Sequence, residues 1–242
     1  MGWSFPLRGL GRRLLDAPTS SQLVRFLDIR SENRMRELGM IATAFEFQAI
    51  DGIRGDYLEF GLYRGRTFCH AYRMKRRYGR RDMLLWGFDS FQGLPQIEDH
   101  RDNVWSSDQF SCSEAELRRI LRRDGLTNQE YRLVSGYYEE SLDSRAHEKL
   151  DGRTAAIVYV DCDLYESTRV VLNFVARYLG NGTVVCFDDY YCYKGAPDQV
   201  EQRALAEFLA AMPEYQFIPW FDYCPVGKSF IIRTKREGAG QR

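Results

Sequence analysis

Ile157-Val158-Tyr159-Val160-Asp161-Cys162-Asp163 and Val184-Val185-Cys186-Phe187-Asp188-Asp189 decide the reading of this chain. Each is a short run of β-branched and aromatic residues ending in carboxylates. That is the pattern of a buried parallel strand whose C-terminal tip opens into a crevice. In open α/β sheets, ligands sit in that crevice. Carboxylates converging there repel one another by ~4 kcal/mol per pair at 4 Å and an effective dielectric of 20. A hard divalent cation or strongly raised pKa values relieve the repulsion, and either one marks a working site.

Outward from these two strands, the chain alternates strands and helices. Met35, Leu38, Met40, Ile41, Phe45 and Ile50 recur at helical spacing until Gly52 and Gly55 end the run. Tyr57-Leu58-Glu59-Phe60-Gly61 reads as a first strand, and residues 67–78 as a helix stopped by Gly79. Residues 83–89 form a second, almost wholly apolar strand, and Tyr131-Arg132-Leu133-Val134 a third. Between them, residues 92–112 are polar and read as a long loop, a kind of segment that tends to serve as a lid or binding loop. Ser113-Glu114-Ala115-Glu116 is a capping box opening a helix with Leu117, Ile120 and Leu121 on one face. Pro197 sits near the first turn of a later helix striped by Val200, Ala204, Leu205, Phe208, Leu209 and Met212. Two late strands, 215–220 and 229–233, are joined too closely for a helical crossover and must be antiparallel.

Five parallel strands and a terminal hairpin match a Rossmann-like methyltransferase better than a hydride-transfer dehydrogenase. The expected fold is α/β, a class I methyltransferase with a mainly parallel sheet, a terminal antiparallel hairpin and helices on both faces. Residues 1–54 are expected to form an N-terminal helical lid or extension, 55–234 the methyltransferase domain and 235–242 a disordered tail.

Composition bounds the partners. The chain has 242 residues, 44% of them apolar, which suits one large domain. Lys plus Arg equals Asp plus Glu at 34 each, so no global field points to nucleic acid. The basic runs at 73–81 and 118–123 fall on amphipathic helices and read as solvated faces. Six cysteines without a CxxC pair read as reduced thiols of a cytoplasmic protein. No run approaches the ~18 apolar residues that span a membrane. Arg8, Arg12 and Arg13 interrupt the leucines of the N-terminus, so a signal peptide is not expected. Met1-Gly2 opens like a myristoylation signal, but Pro6 stands where Ser or Thr is needed.

Glu59-Phe60-Gly61-Leu62-Tyr63-Arg64-Gly65 follows the first strand and opens the helix that contains Thr67. Glycines there let a ligand approach the backbone, and the helix N-terminus favours a carboxylate or phosphate. Tyr63 occupies the place of the middle glycine of a dinucleotide fingerprint, which argues against a pyrophosphate. S-adenosylmethionine fits better, its carboxylate at the helix end and its ammonium at Glu59; a turn shaped only for packing is the competing reading. Asp89, at the end of the second strand, suits ribose hydroxyls. Its competing role is a helix cap, which Ser90 can also fill. After the third strand, Tyr137, Tyr138 and Glu139 offer an aromatic surface for an adenine, or a tyrosine for the core. Asp161 and Asp163 fall on one side of an extended strand end, and Asp188 and Asp189 enter from the next tip. Such oxygen donors suit Mg²⁺, while His70, His100 and His147 are too scattered for zinc. Trp105, in the polar loop, reads either as part of a lid or as a loop anchor.

Phe88-Asp89-Ser90-Phe91-Gln92-Gly93-Leu94-Pro95, Asp161-Cys162-Asp163-Leu164-Tyr165-Glu166-Ser167-Thr168 and Phe187-Asp188-Asp189-Tyr190 with Lys194-Gly195-Ala196 carry a resemblance. Together they resemble the macrocin O-methyltransferase (TylF-type) family over residues 55–212. The resemblance implies a metal-dependent sugar O-methyltransferase of natural-product (antibiotic) biosynthesis that uses S-adenosylmethionine and acts on a sugar or glycosylated small molecule. It implies Asp161, Asp188 and Asp189 as Mg²⁺ ligands, with Asp163 as the general base. The cofactor-site expectation comprises Glu59, Gly61, Tyr63, Gly65, Thr67, Asp89, Ser90, Tyr138, Glu139 and Asp161. Similar proteins often have Gly-His-Trp where Tyr191-Cys192-Tyr193 stands, a change expected to alter a wall of the acceptor pocket. Two other classes compete: a nucleotide-sugar glycosyltransferase using Asp161 and Asp163 as a DxD metal site, and a non-catalytic scaffold. A homo-oligomer is compatible with the sequence; membrane and nucleic-acid partners are not expected.

Overall fold

Asp56, at the start of the first strand, anchors the edge of the sheet opposite the crevice. Its buried carboxylate accepts hydrogen bonds from the Leu84 amide (2.8 Å), the Trp86 indole (2.8 Å) and the Arg153 guanidinium. These bonds tie together the starts of three neighbouring segments. The computed structural model describes residues 20–96 and 109–235, with side chains from residue 35 onward.

The elements run in the order α1 (Ser20–Ile50), β1 (Asp56–Phe60), α2 (Arg66–Arg77), β2 (Leu85–Asp89), α3 (Glu114–Arg123), β3 (Tyr131–Ser135), α4 (Tyr138–Ser141), α5 (Ser144–Lys149), β4 (Ala155–Val160), α6 (Tyr165–Val175), β5 (Val184–Phe187), α7 (Val200–Ala211), β6 (Tyr215–Tyr223) and β7 (Gly227–Thr234). They build one seven-stranded sheet in the order β3-β2-β1-β4-β5-β7-β6. The pairs from β3 through β5 are parallel, and β7 is antiparallel to both β5 and β6. The late hairpin is thus antiparallel, as its short connection requires. Its second strand inserts between β5 and β6. Pro219 lies on the outer strand β6, beside a register shift between Pro219 and Asp222, where a missing amide is tolerated.

Strand alternation divides the core into two layers. Leu58, Phe60, Val158, Val160 and Phe187 face α6 and α7. Tyr57, Ile157, Tyr159 and Cys186 face α1, α2 and α3. The part of the expected N-terminal extension with described side chains is built into this second layer. Met40, Ile41, Ala44 and Phe45 are buried, and Gln48 Nε2 donates to the carbonyls of Ala156 (3.0 Å) and Gly182 (2.9 Å). Ser113 caps α3 by accepting from the Glu116 amide at 3.2 Å. Pro197 precedes α7 by three residues and does not enter its first turn. The chain leaves β1 toward β2 and β3 and later returns toward β4 and β5. The switch point therefore lies between β1 and β4, and the crevice opens at their C-terminal tips. No described helix is long and apolar enough to cross a membrane.

Candidate active site

The tips of β1 and β4 meet at Gly61. Its φ is +90°, and a Cβ there would lie 1.9 Å from the Asp161 carbonyl oxygen, so only glycine admits this approach. Asp89 holds the following turn. Its Oδ2 accepts from the amides of Leu62 (2.7 Å) and Tyr63 (3.1 Å), and its Oδ1 from the Phe91 amide (2.6 Å). Burial raises its pKa and those three amides lower it. The expected ribose acceptor is therefore first a brace for the glycine turn; one lone pair on Oδ1 remains for a ligand hydroxyl.

A cavity of about 260 Å³ opens beside this turn. Its wall includes Gly61, Tyr63, Asp89, Ser90, Tyr138 and Glu139. Asp161, Asp163, Asp188 and Asp189 also line it. Tyr138 reaches both the core and the cavity. Its ring packs edge-on against Phe60 at 6.0 Å between centroids, and it also borders the cavity.

Three expected cofactor residues are not on that wall. Glu59 is fully buried, and its two oxygens accept from the Tyr57 and Thr67 hydroxyls, the latter at 2.6 Å. Burial pushes its pKa up to about 7. Strand alternation explains the difference: Glu59 shares the face of Tyr57, which packs under α1 and α2. Thr67 is the partner of this acid. Gly65 precedes α2 in the left-handed conformation, and a Cβ there would meet Leu117 Cδ1 at 2.6 Å, so this glycine serves packing against α3.

The four aspartates converge, but not by strand alternation. β4 ends at Val160, and Asp163 adopts a left-handed backbone (φ 60°) in the turn that follows. One carboxylate oxygen each from Asp161, Asp163 and Asp189 lie within 4.8 Å of one another. Asp188 is not one of that trio, although its charge bears on Asp161; its Oδ1 accepts from the Tyr159 hydroxyl at 2.6 Å. The expected metal set named Asp188 rather than Asp163; the trio that meets here contains Asp163. Burial raises the pKa of all four; repulsion among them adds to it at Asp161, Asp163 and Asp188, while hydrogen bonds with Cys192 and Asp163 oppose it at Asp189; Asp188 is pushed up to about 7. An all-oxygen donor set under this repulsion fits a hard divalent cation such as Mg²⁺.

A family model described as macrocin-O-methyltransferase (TylF) matches residues 29–212. The chain belongs to the TylF family. It is 30% identical over 165 residues to mycinamicin III 3''-O-methyltransferase of Micromonospora griseorubida, covering 64% of this chain and 63% of that one. It is 29% identical over 163 residues to demethyldecarbamoylnovobiocin O-methyltransferase of Streptomyces niveus, covering 63% of this chain and 59% of the relative. The matches thus span about three fifths of these relatives. The solved O-methyltransferase NovP superposes with a TM-score of 0.69 at 25% identity, covering 83% of this chain and 81% of its own. A calicheamicin methyltransferase shares the fold, with a TM-score of 0.66 at 24% identity over 91% of this chain and 88% of its own.

This TylF chain brings to the site further pairings that were not made from the sequence. Arg66, at the start of α2, lines the cavity and pairs with Glu37 of α1. Tyr159 orients Asp188. Cys192 Sγ donates to Asp189 Oδ1 at 3.1 Å. These partners are 29, 29 and 3 residues apart, and no local pattern marks the first two pairs. The Tyr191-Cys192-Tyr193 departure does not border the cavity. Tyr191 turns instead to the late hairpin, donating to Asp222 Oδ1 (2.9 Å) and accepting from Lys228 Nζ (2.8 Å). Trp105 lies outside the described residues.

Proposed function

We propose that the protein is an S-adenosylmethionine-dependent O-methyltransferase that methylates a hydroxyl of a sugar or glycosylated small molecule, assisted by Mg²⁺. The observation that carries this reading is one cavity lined both by the Gly61 turn and by four carboxylates, in a chain of the TylF family. The relatives' names, a mycinamicin and a novobiocin O-methyltransferase, support a hydroxyl of a natural product as acceptor.

The cofactor's homocysteine carboxylate is assigned to the N-terminus of α2 and to Arg66, the basic side chain on the cavity wall among the described residues. Its ribose is assigned to Asp89 and its adenine to the wall at Tyr138 and Glu139. The cation is assigned to Asp161, Asp163 and Asp189, supported by the convergence of their oxygens. A divalent cation held there supplies stabilisation for negative charge developing on the acceptor oxygen. Asp188, oriented by Tyr159, is left to take the hydroxyl proton. The oxygen lone pair forms the new bond to the sulfonium methyl carbon, the carbon–sulfur bond breaks, and S-adenosylhomocysteine leaves. Holding the two reactants in line supplies much of the rate. The family resemblance gives Asp188 to the cation and Asp163 to the proton, so the two assignments exchange a single pair of residues.

Calorimetric titration tests the reading. S-adenosylhomocysteine should bind while NAD and UDP do not, and methyl transfer should vanish in EDTA and return with Mg²⁺. Binding of UDP in place of the homocysteine ligand, or full turnover in metal-free buffer, overturns it.

A further inference from the structure

Glu201 lies in the first turn of α7, fully enclosed, and does not border the cavity. One of its oxygens, Oε2, accepts a hydrogen bond from the main-chain amide of Asp189 at 3.1 Å. The other, Oε1, is buried with no hydrogen-bond partner among the described residues. The residue before it, Val200, is buried at a φ of 36°, a backbone conformation that a β-branched residue rarely adopts.

For the fold alone this is a poor arrangement. A buried carboxyl beside Asp163, Asp188 and Asp189 has one backbone hydrogen bond to offset its desolvation. What Glu201 does provide is a fixed point for the main chain of Asp189, just past the end of β5. The Asp189 side chain is meanwhile engaged by the Cys192 thiol. Backbone and carboxylate are therefore fixed from two separate segments, one of them α7.

We propose that Glu201 is a positioning residue: through the Asp189 amide it holds that carboxylate where Asp161 and Asp163 can share a cation with it. The proposal rests on the cation reading given above. Groups that orient a metal ligand without touching the metal typically contribute 10–100-fold to metal affinity.

The test uses the full chain and Mn²⁺ alone as probe, with free Mn²⁺ read by electron paramagnetic resonance. Glu201→Leu removes the acceptor and leaves an apolar side chain. It should weaken Mn²⁺ binding by about 10–100-fold. In EDTA the variant should still melt cooperatively, and S-adenosylhomocysteine affinity should be unchanged. A merely structural residue would lower the melting temperature and leave the Mn²⁺ affinity of the folded chain unaltered. Glu201→Gln keeps an acceptor oxygen and should hold Mn²⁺ affinity within about threefold, rescuing what Leu loses. Unaltered Mn²⁺ affinity in a folded Glu201→Leu overturns the proposal, as does a Gln variant that loses as much as Leu. If Glu201→Leu does not fold, Glu201→Asp decides: it draws the acceptor back by one methylene, and unaltered affinity there overturns the proposal. An unaltered chain that binds no Mn²⁺ overturns the cation reading itself, and this proposal with it.

Discussion

Asp163→Asn and Asp188→Asn separate the cation from the proton. One carboxylate oxygen each from Asp161, Asp163 and Asp189 lie within 4.8 Å of one another. At that separation, two unit charges repel by ~3.5 kcal/mol with an effective dielectric of 20. Asn at 163 is nearly isosteric and removes the repulsion of that carboxylate with both neighbours. It also replaces an anionic donor with a neutral one. The metal-free protein should therefore melt at the same temperature or higher, while Mg²⁺ affinity falls by ~100-fold, about 2.7 kcal/mol. Asp188→Asn leaves the trio intact, since Asp188 is held by Tyr159 outside it. That variant should keep cation and S-adenosylhomocysteine affinity within about threefold and lose ~10²–10⁴ in kcat, the usual worth of a general base. Calorimetry with Mg²⁺ and single-turnover methyl transfer from labelled S-adenosylmethionine read the two quantities separately. The reasoning is refuted if Asp163→Asn keeps its Mg²⁺ affinity and loses kcat, while Asp188→Asn loses the metal. That outcome restores Asp188 as ligand and Asp163 as base.

Gly61→Ala places a methyl group 1.9 Å from the Asp161 carbonyl oxygen at a φ of +90°, so the tips of β1 and β4 must part. It should abolish S-adenosylhomocysteine binding and lower the melting temperature by roughly 10 °C, and unchanged binding refutes the close approach. Asp89→Ala leaves three amides of the turn without their acceptor and should weaken S-adenosylhomocysteine by ~1–3 kcal/mol, read by calorimetry. Glu59 has a folded pKa of about 7, against ~4.3 unfolded, so its contribution is fully present below pH ~4 and is lost as pH rises through 7. Glu59→Gln should therefore gain stability relative to the unaltered chain between pH 5 and pH 8, by a few kcal/mol at most; denaturation curves showing a constant difference across that range refute the buried, proton-holding acid.

The sequence by itself determined the architecture. Runs such as Ile157–Val160 and Val184–Phe187 have one stable placement, buried on both faces of a parallel sheet, and the carboxylates that end them must then meet at its C-terminal edge. The antiparallel hairpin followed from a connection too short to cross over. The three motifs beginning at Phe88, Asp161 and Phe187 are enough to mark the family. What the tertiary structure alone decided is which neighbour each polar group answers to. Glu59 and Asp89 read alike as acids at strand ends. One faces into a helix-covered layer and bonds Tyr57 and Thr67; the other reaches the rim and braces a turn. Arg66 with Glu37, Tyr159 with Asp188, and Glu201 with Asp189 join segments 12 to 29 residues apart. Hydrogen bonds are short-ranged and directional, so these pairings come into being only once helix packing has fixed the distances, and no periodicity in the chain encodes them.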